Sequence, residues 1–233
     1  MIIKKRTVLI FSTFLAIIIA FITLFSALSN LTQESFSSDF FKVVIDAGHG
    51  GVDGGVSGVK TGVKESDLNL ILAKELASFL NEEGIKTVLT RSTKAGLYGT
   101  ATSNRKRKDM LKRKEIILDS APNLVISLHM NYYSVSDRRG AQAFFDEKNE
   151  NSKKVALAVQ SALNDLPTNE RKYSALKGDY YILNSTNYPA VLIECGFLSN
   201  PQDEELLISR EYREIFCQAV LNGISIYRIN DDI

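Results

Sequence analysis

Val43-Val44-Ile45-Asp46-Ala47-Gly48-His49 is the stretch that decides the fold: an apolar run of strand formers, a short turn, then a histidine. A strand that is apolar at consecutive positions is covered on both faces, as in a parallel sheet, whereas a half-exposed strand alternates. Two further runs have the same form. Leu124-Val125-Ile126-Ser127-Leu128 leads to His129, and Ala190-Val191-Leu192-Ile193 ends in Glu194. The two histidines of the chain therefore each follow directly on a buried strand. In open α/β sheets ligands bind at the carboxyl ends of the strands, so two imidazoles and a carboxylate are expected to share one site. That combination suits a metal.

Outward from these runs, strand-like segments alternate with helical periodicity from Phe41 onward. The pattern predicts the α/β class: a single three-layer α/β/α domain with a mostly parallel sheet. A glycine-rich loop over 48–62 precedes a helix from about Glu65, with Ser66 or Asp67 as its cap and Gly84 at its end. Residues 85–89 form a second strand, and a loop over 91–103 leads into a basic helix whose apolar side is Met110, Leu111, Ile116 and Ile117. Strands are expected over 141–145 and 180–183, helices over 155–163 and near the C-terminus, and a loop over 164–178.

The 233 residues are 45% hydrophobic and 24% charged, enough for one core and not for two full domains. Lys4, Lys5 and Arg6 precede residues 7–28, which carry no charge, proline or glycine. A bilayer-spanning helix needs about 20 apolar residues, and a signal-peptide core about 7–15. Small residues at Ser26, Ala27 and Ser29 also permit cleavage, so residues 1–29 are expected as a membrane anchor or signal peptide and 30–40 as a linker. Either way the positive-inside rule exports the body. Without its first thirty residues the chain has 25 basic against 27 acidic groups, which speaks against nucleic acid as a partner. The run Arg105-Lys106-Arg107-Lys108, with Lys112, Arg113 and Lys114, fits the solvated face of a helix; attraction to an anionic polymer is the alternative. Export permits a disulfide between Cys195 and Cys217, but their surroundings predict two buried small hydrophobes.

Gly48 to Gly55 holds five glycines in eight positions, which lets the chain turn sharply and be approached closely. It is not a phosphate loop, because it lacks Gly-Lys-Ser/Thr and the G-x-G-x-x-G spacing. A hydrolytic zinc site takes three protein ligands and a water. His49 and His129 supply two, and the third is Glu65, Asp53 or Asp67. Glu194 is then the free carboxylate that takes a proton from the water and passes it to a leaving amine. A cysteine hydrolase using Cys195 is the competing chemistry, but strand alternation turns Cys195 away from the face of Glu194.

Four motifs in order carry a resemblance: Ile45-Asp46-Ala47-Gly48-His49-Gly50-Gly51, Lys64-Glu65, Ser127-Leu128-His129-Met130-Asn131, and Ile193-Glu194-Cys195-Gly196-Phe197-Leu198-Ser199-Asn200. Together they resemble the zinc-dependent N-acetylmuramoyl-L-alanine amidases, over nearly the whole exported body. The resemblance implies one zinc per chain on His49, Glu65 and His129, with Glu194 as catalytic base. It favours Glu65 over its neighbours. It further implies a catalytic domain over 41–229, a tail over 230–233, and hydrolysis of the amide between muramic acid and L-alanine. Peptidoglycan strands with stem peptides are then the substrate, the membrane is met through the N-terminal segment, and an accessory protein is allowed though no motif identifies one.

His129-Met130-Asn131 and Leu97-Tyr98-Gly99 are similar to the germination-specific amidases of spore formers. That subgroup prepares muramic-δ-lactam in spore cortex, which places the chain at the outer face of the cytoplasmic membrane or in the forespore intermembrane space. General wall turnover, or a non-catalytic peptidoglycan-binding module, are the alternatives. Two departures concern substrate lining or loop packing. Arg91-Ser92-Thr93-Lys94 lacks the aspartate of a usual Arg-x-x-Asp, and Ile117-Leu118 replaces an alanine-asparagine pair after Arg113.

Overall fold

Strands β1 (Lys42–Ala47), β3 (Leu124–Asn131) and β6 (Ala190–Phe197) are buried along most of their length, which is why their sequences do not alternate with polar residues. The computed structural model describes residues 15, 17–23, 41–168 and 171–230. In it these strands are interior members of a six-stranded sheet of order β2-β1-β3-β6-β4-β5. β1 is parallel to β2 (Lys86–Leu89) and to β3, and β3 is parallel to β6. β4 (Gln142–Phe145) runs antiparallel to β6, and β5 (Leu176–Lys177) lies parallel to β4. The expected α/β class with a mostly parallel sheet is the one observed.

Alternate strand residues divide the two faces of the sheet. Val43, Ile45, Ile126, Leu128, Val191 and Ile193 enter the larger core, where they meet Leu72 and Leu76 of α1 (Glu65–Glu82), Val155 and Val159 of α3 (Glu150–Asn164), and Phe216 and Val220 of α6 (Arg210–Asn230). Leu207 of α5 (Pro201–Ile208) joins the same core. On the other face Val44, Val125 and Leu192 pack with Ile117 of α2 (Arg105–Ser120) and with Ile182 and Leu183 of α4 (Tyr181–Asn184). Asp46, Ser127, His129 and Glu194 have the parity of this second set. One face of the sheet thus turns from apolar to polar where three parallel strands end. Immediately beyond, the β3–β6 register slips between His129 and Asn131, a local irregularity that bends the strands beside the site.

Three expectations are corrected. Residues 180–183 are not a strand: α4 is a helical turn, which sends the adjacent Ile182 and Leu183 inward together, whereas a strand would turn them to opposite faces. The apolar side of α2 is the expected one only in part. Ile117 is buried and Met110 packs against the smaller core, but Leu111 is exposed, and the buried row is completed by the charged Asp109 and Arg113 at a spacing of four. The loop expected over 164–178 also contributes the two-residue β5. Cys195 and Cys217 are both free and buried in the larger core, as small hydrophobes.

The chain divides into two units, Met1–Phe40 and Phe41–Ile233. In the first, residues 17–23 are helical. Most of the expected anchor or signal over 1–29, the linker over 30–40 and most of the tail over 230–233 lie outside the described residues. Among the described residues no helix is long and apolar enough to cross a membrane.

Candidate metal centre

The loop after β1 supplies what the start of α1 lacks. The first amides of a helix have no partner within it. Here the Glu65 N–H donates to Val56 O (2.9 Å) and the Ser66 N–H to Gly54 O (3.1 Å). Loop carbonyls thus do the work expected of a capping side chain; the N-cap is Lys64, and neither Ser66 nor Asp67 caps the helix. Glu65 is left free to turn toward the strand ends. Its Oε2 accepts from the Val56 N–H (2.9 Å) and its Oε1 from the Met130 N–H (3.1 Å).

Glu65 Oε1 also lies 3.1 Å from His49 Nε2 and 3.0 Å from His129 Nδ1. One donor atom from each of His49, Glu65 and His129 falls within 4.8 Å of the others. Zinc bonds of about 2.0–2.1 Å in a tetrahedral site place ligand atoms about 3.4 Å apart, so this set of two imidazoles and one carboxylate fits a zinc ion. The other two carboxylates that the spacing left open do not converge. Asp67 pairs with Lys94 at 3.0 Å. Asp53 stands on the far side of the His49 ring, its Oδ1 2.9 Å from Nδ1 but at an angle that makes no hydrogen bond.

Burial opposes ionisation of Glu65, yet the hydrogen bonds and charges of His129 and His49 outweigh it and hold the carboxyl well below its usual range. His49 is raised: burial works against the imidazolium, and Glu65 and Asp53 prevail over it. The glycines make room for these side chains. A Cβ on Gly48 would fall inside the His129 imidazole, and one on Gly55 would strike the Glu65 carboxyl.

Glu194 faces His129 directly across the β3–β6 ladder and is half-buried. Its Oε2 is enclosed without a partner. Burial pushes its carboxyl up to about 7; the charges of His129 and His49 pull it down and that of Glu65 pushes it up. Cys195 sits in the larger core, on the opposite face, with its thiol raised well above the ordinary value by burial. It is no nucleophile there. Beside the histidines opens a cleft of about 500 Å³, walled by Tyr98, Arg105, Lys106, Met110, Tyr180 and Leu192 among others.

Sequence reasoning missed the buried charges under this site. Asp46 accepts from the hydroxyls of Thr90 and Ser127, both at 2.7 Å, and from Arg113 Nη1 at 2.5 Å. Arg113 Nε donates to Asp109 at 2.6 Å. Asp109 and Arg113 stand four apart on the inward side of α2, and that spacing was the signal that could have found them.

A family model for N-acetylmuramoyl-L-alanine amidases matches residues 43–226. The chain is 35% identical over 189 residues to the germination-specific N-acetylmuramoyl-L-alanine amidase of Bacillus subtilis strain 168, covering 79% of this chain and 78% of that one. Among solved structures it resembles the CwlD amidase of Clostridioides difficile, seen in complex with the GerS lipoprotein, with a TM-score of 0.75 and 34% identity over 81% of this chain and 98% of that one. It also resembles an N-acetylmuramoyl-L-alanine amidase of Clostridium difficile 630, with a TM-score of 0.72 and 28% identity over 82% of this chain and 97% of that one. The site geometry and these likenesses agree: the chain belongs to the Amidase_3 family and is an N-acetylmuramoyl-L-alanine amidase acting on peptidoglycan.

Proposed function

We propose that this enzyme is zinc-dependent, with one zinc ion on His49, Glu65 and His129 and Glu194 as the general base, and that it acts on spore cortex in preparation for muramic-δ-lactam formation. The observation that carries the reading is the meeting of three donors from the loop after β1, the first turn of α1 and the end of β3. When bound, zinc supplies Lewis acidity toward the scissile carbonyl and a water acidic enough to attack it. The chain's own residues do the rest. Glu194 takes the proton of the attacking water as the new C–O bond forms and the carbonyl electrons move onto oxygen. As the C–N bond breaks, Glu194 returns that proton to the L-alanine nitrogen, giving a lactyl carboxylic acid and a peptide amine, which then ionise to carboxylate and ammonium as the acid proton passes to the amine. A carboxylate with its pKa raised to about 7 suits both transfers. Asp53 places a negative charge beside the outer nitrogen of His49, 2.9 Å away.

The cortex role is supported by the likeness to the germination-specific amidase. The loop that carried the subgroup resemblance also has a structural part: the Val52 N–H donates to the Tyr98 hydroxyl at 3.0 Å, which ties residues 97–99 to the glycine loop. The CwlD complex with the GerS lipoprotein supports an accessory lipoprotein as partner. The proposed setting is the outer face of the cytoplasmic membrane or the forespore intermembrane space, with residues 1–29 as anchor or cleaved signal, 30–40 as linker and 41–229 as the catalytic domain.

Metal analysis and muropeptide digestion test the chemistry. The purified chain is expected to carry one zinc, and Glu194→Gln to keep that zinc while losing about 10²–10⁴ in rate. Cleavage by zinc-free protein would overturn the zinc reading. Mass analysis of cortex from spores lacking the chain tests the role: missing muramic-δ-lactam supports it, and intact lactam with an altered vegetative wall points to general turnover.

A further inference from the structure

His49 has a φ of 61°, a left-handed backbone that residues with a side chain adopt at an energetic cost. Two buried guanidinium groups hold it there. Arg91 Nε donates to Ala47 O at 2.8 Å, and Arg91 Nη2 to Gly48 O at 2.9 Å and Ser66 O at 2.8 Å. Arg113 Nη1 donates to Ala47 O at 2.8 Å and Nη2 to His49 O at 2.6 Å. Three consecutive carbonyls, the last of them that of His49, are thus gripped by two planar forks, which also join the loop to the first turn of α1 through Ser66.

The forks are anchored in turn. Arg113 reaches Asp46 and Asp109, and Asp109 Oδ1 accepts from the Leu97 N–H at 2.5 Å. Two guanidinium groups face two carboxylates, so their charges cancel. An unbalanced positive charge at this place would oppose a cation in the site.

We propose that Arg91 and Arg113 are positioning residues that fix the His49 imidazole and thereby set the affinity of the site for zinc. This rests on the reading of His49, Glu65 and His129 as zinc ligands. The forks act through geometry rather than charge. A lysine in either place keeps the charge but offers a point donor in place of a planar fork.

The test is zinc titration of chelator-stripped full-length protein against a chromophoric competitor, together with the visible spectrum of the cobalt(II)-loaded form. Arg91→Lys and Arg113→Lys are expected to raise the zinc dissociation constant by about 10–100-fold and to alter the cobalt bands while circular dichroism stays parental. Arg91→Met is expected to weaken binding too, although loss of a positive charge would strengthen it on electrostatic grounds alone. Folded variants with parental zinc affinity and cobalt spectrum would overturn the proposal, as would tighter binding by Arg91→Met. Should Arg113→Lys fail to fold, Arg91→Lys decides the outcome, since the hydrogen bonds of Arg91 go only to carbonyls. The ligand reading fails separately, and takes this proposal with it, if the parent binds no zinc or if His49→Ala binds it equally well.

Discussion

Glu194 is an ordinary carboxylate whose burial suits it to the proposed role of base near neutral pH. Burial raises it to about 7, so protonation removes the base on the acid side. The kcat/KM for muropeptide hydrolysis is expected to fall about tenfold per pH unit below the Glu194 pKa. A cation in the site favours the carboxylate and moves that limb to lower pH, and a profile flat on the acid side would remove Glu194 from this role. Gly48 illustrates a different single-atom constraint. Gly48→Ala drives a Cβ into the His129 imidazole and is expected to cost at least about tenfold in zinc affinity, the scale of losing an orienting contact. Gly62→Ala, at φ 73° with nothing within 4 Å, is expected to cost about 1–2 kcal/mol of backbone strain and leave turnover intact. Melting curves and turnover of the two variants separate these effects. The histidines and Glu194 were legible because each ends an apolar run. Asp46 was not, because a lone aspartate in such a run looks like the start of a turn until Arg113, Thr90 and Ser127 are seen around it.

Helix α6 lies against α3 so closely that a Cβ on Gly223 would stand 2.6 Å from Val159 Cα. Gly223→Ala is expected to push the two helices apart and to destabilise the protein by about 1–3 kcal/mol in urea melts. Because this contact belongs to the larger core, away from the face that carries His129 and Glu194, kcat per folded molecule should not change. The existence of α1, α2, α3 and α6 followed from helical spacing of apolar residues. The inward face of α2 did not, since Asp109 and Arg113 are charged and become core residues only by pairing. For α4, residues of strand-forming type give a helical turn, which turns both Ile182 and Leu183 into the same cluster beside β6, where a strand would send them to opposite faces.

In the whole molecule the three expected ligands tie the loop after β1 to the first turn of α1 and the end of β3, so the assembled site exists only in the folded chain. Zinc is therefore expected to raise the melting temperature, corresponding to about 2.7 kcal/mol at a free concentration a hundredfold above its dissociation constant, and a chelator to reverse the shift. A melting temperature indifferent to zinc in differential scanning calorimetry would contradict a native-state site. The α/β class, the parallel strands and the strand-end placement of His49, His129 and Glu194 were written in local periodicity, which a chain expresses wherever it folds. Spacing left Glu65 level with Asp53 and Asp67, and likeness to a family favoured it. What brings Glu65 to the two imidazoles is a set of backbone hydrogen bonds from the glycine loop and from Met130. The grip of Arg91 and Arg113 on the His49 loop is of the same kind, because contacts between residues dozens of positions apart depend on how elements pack, and no spacing along the chain encodes them.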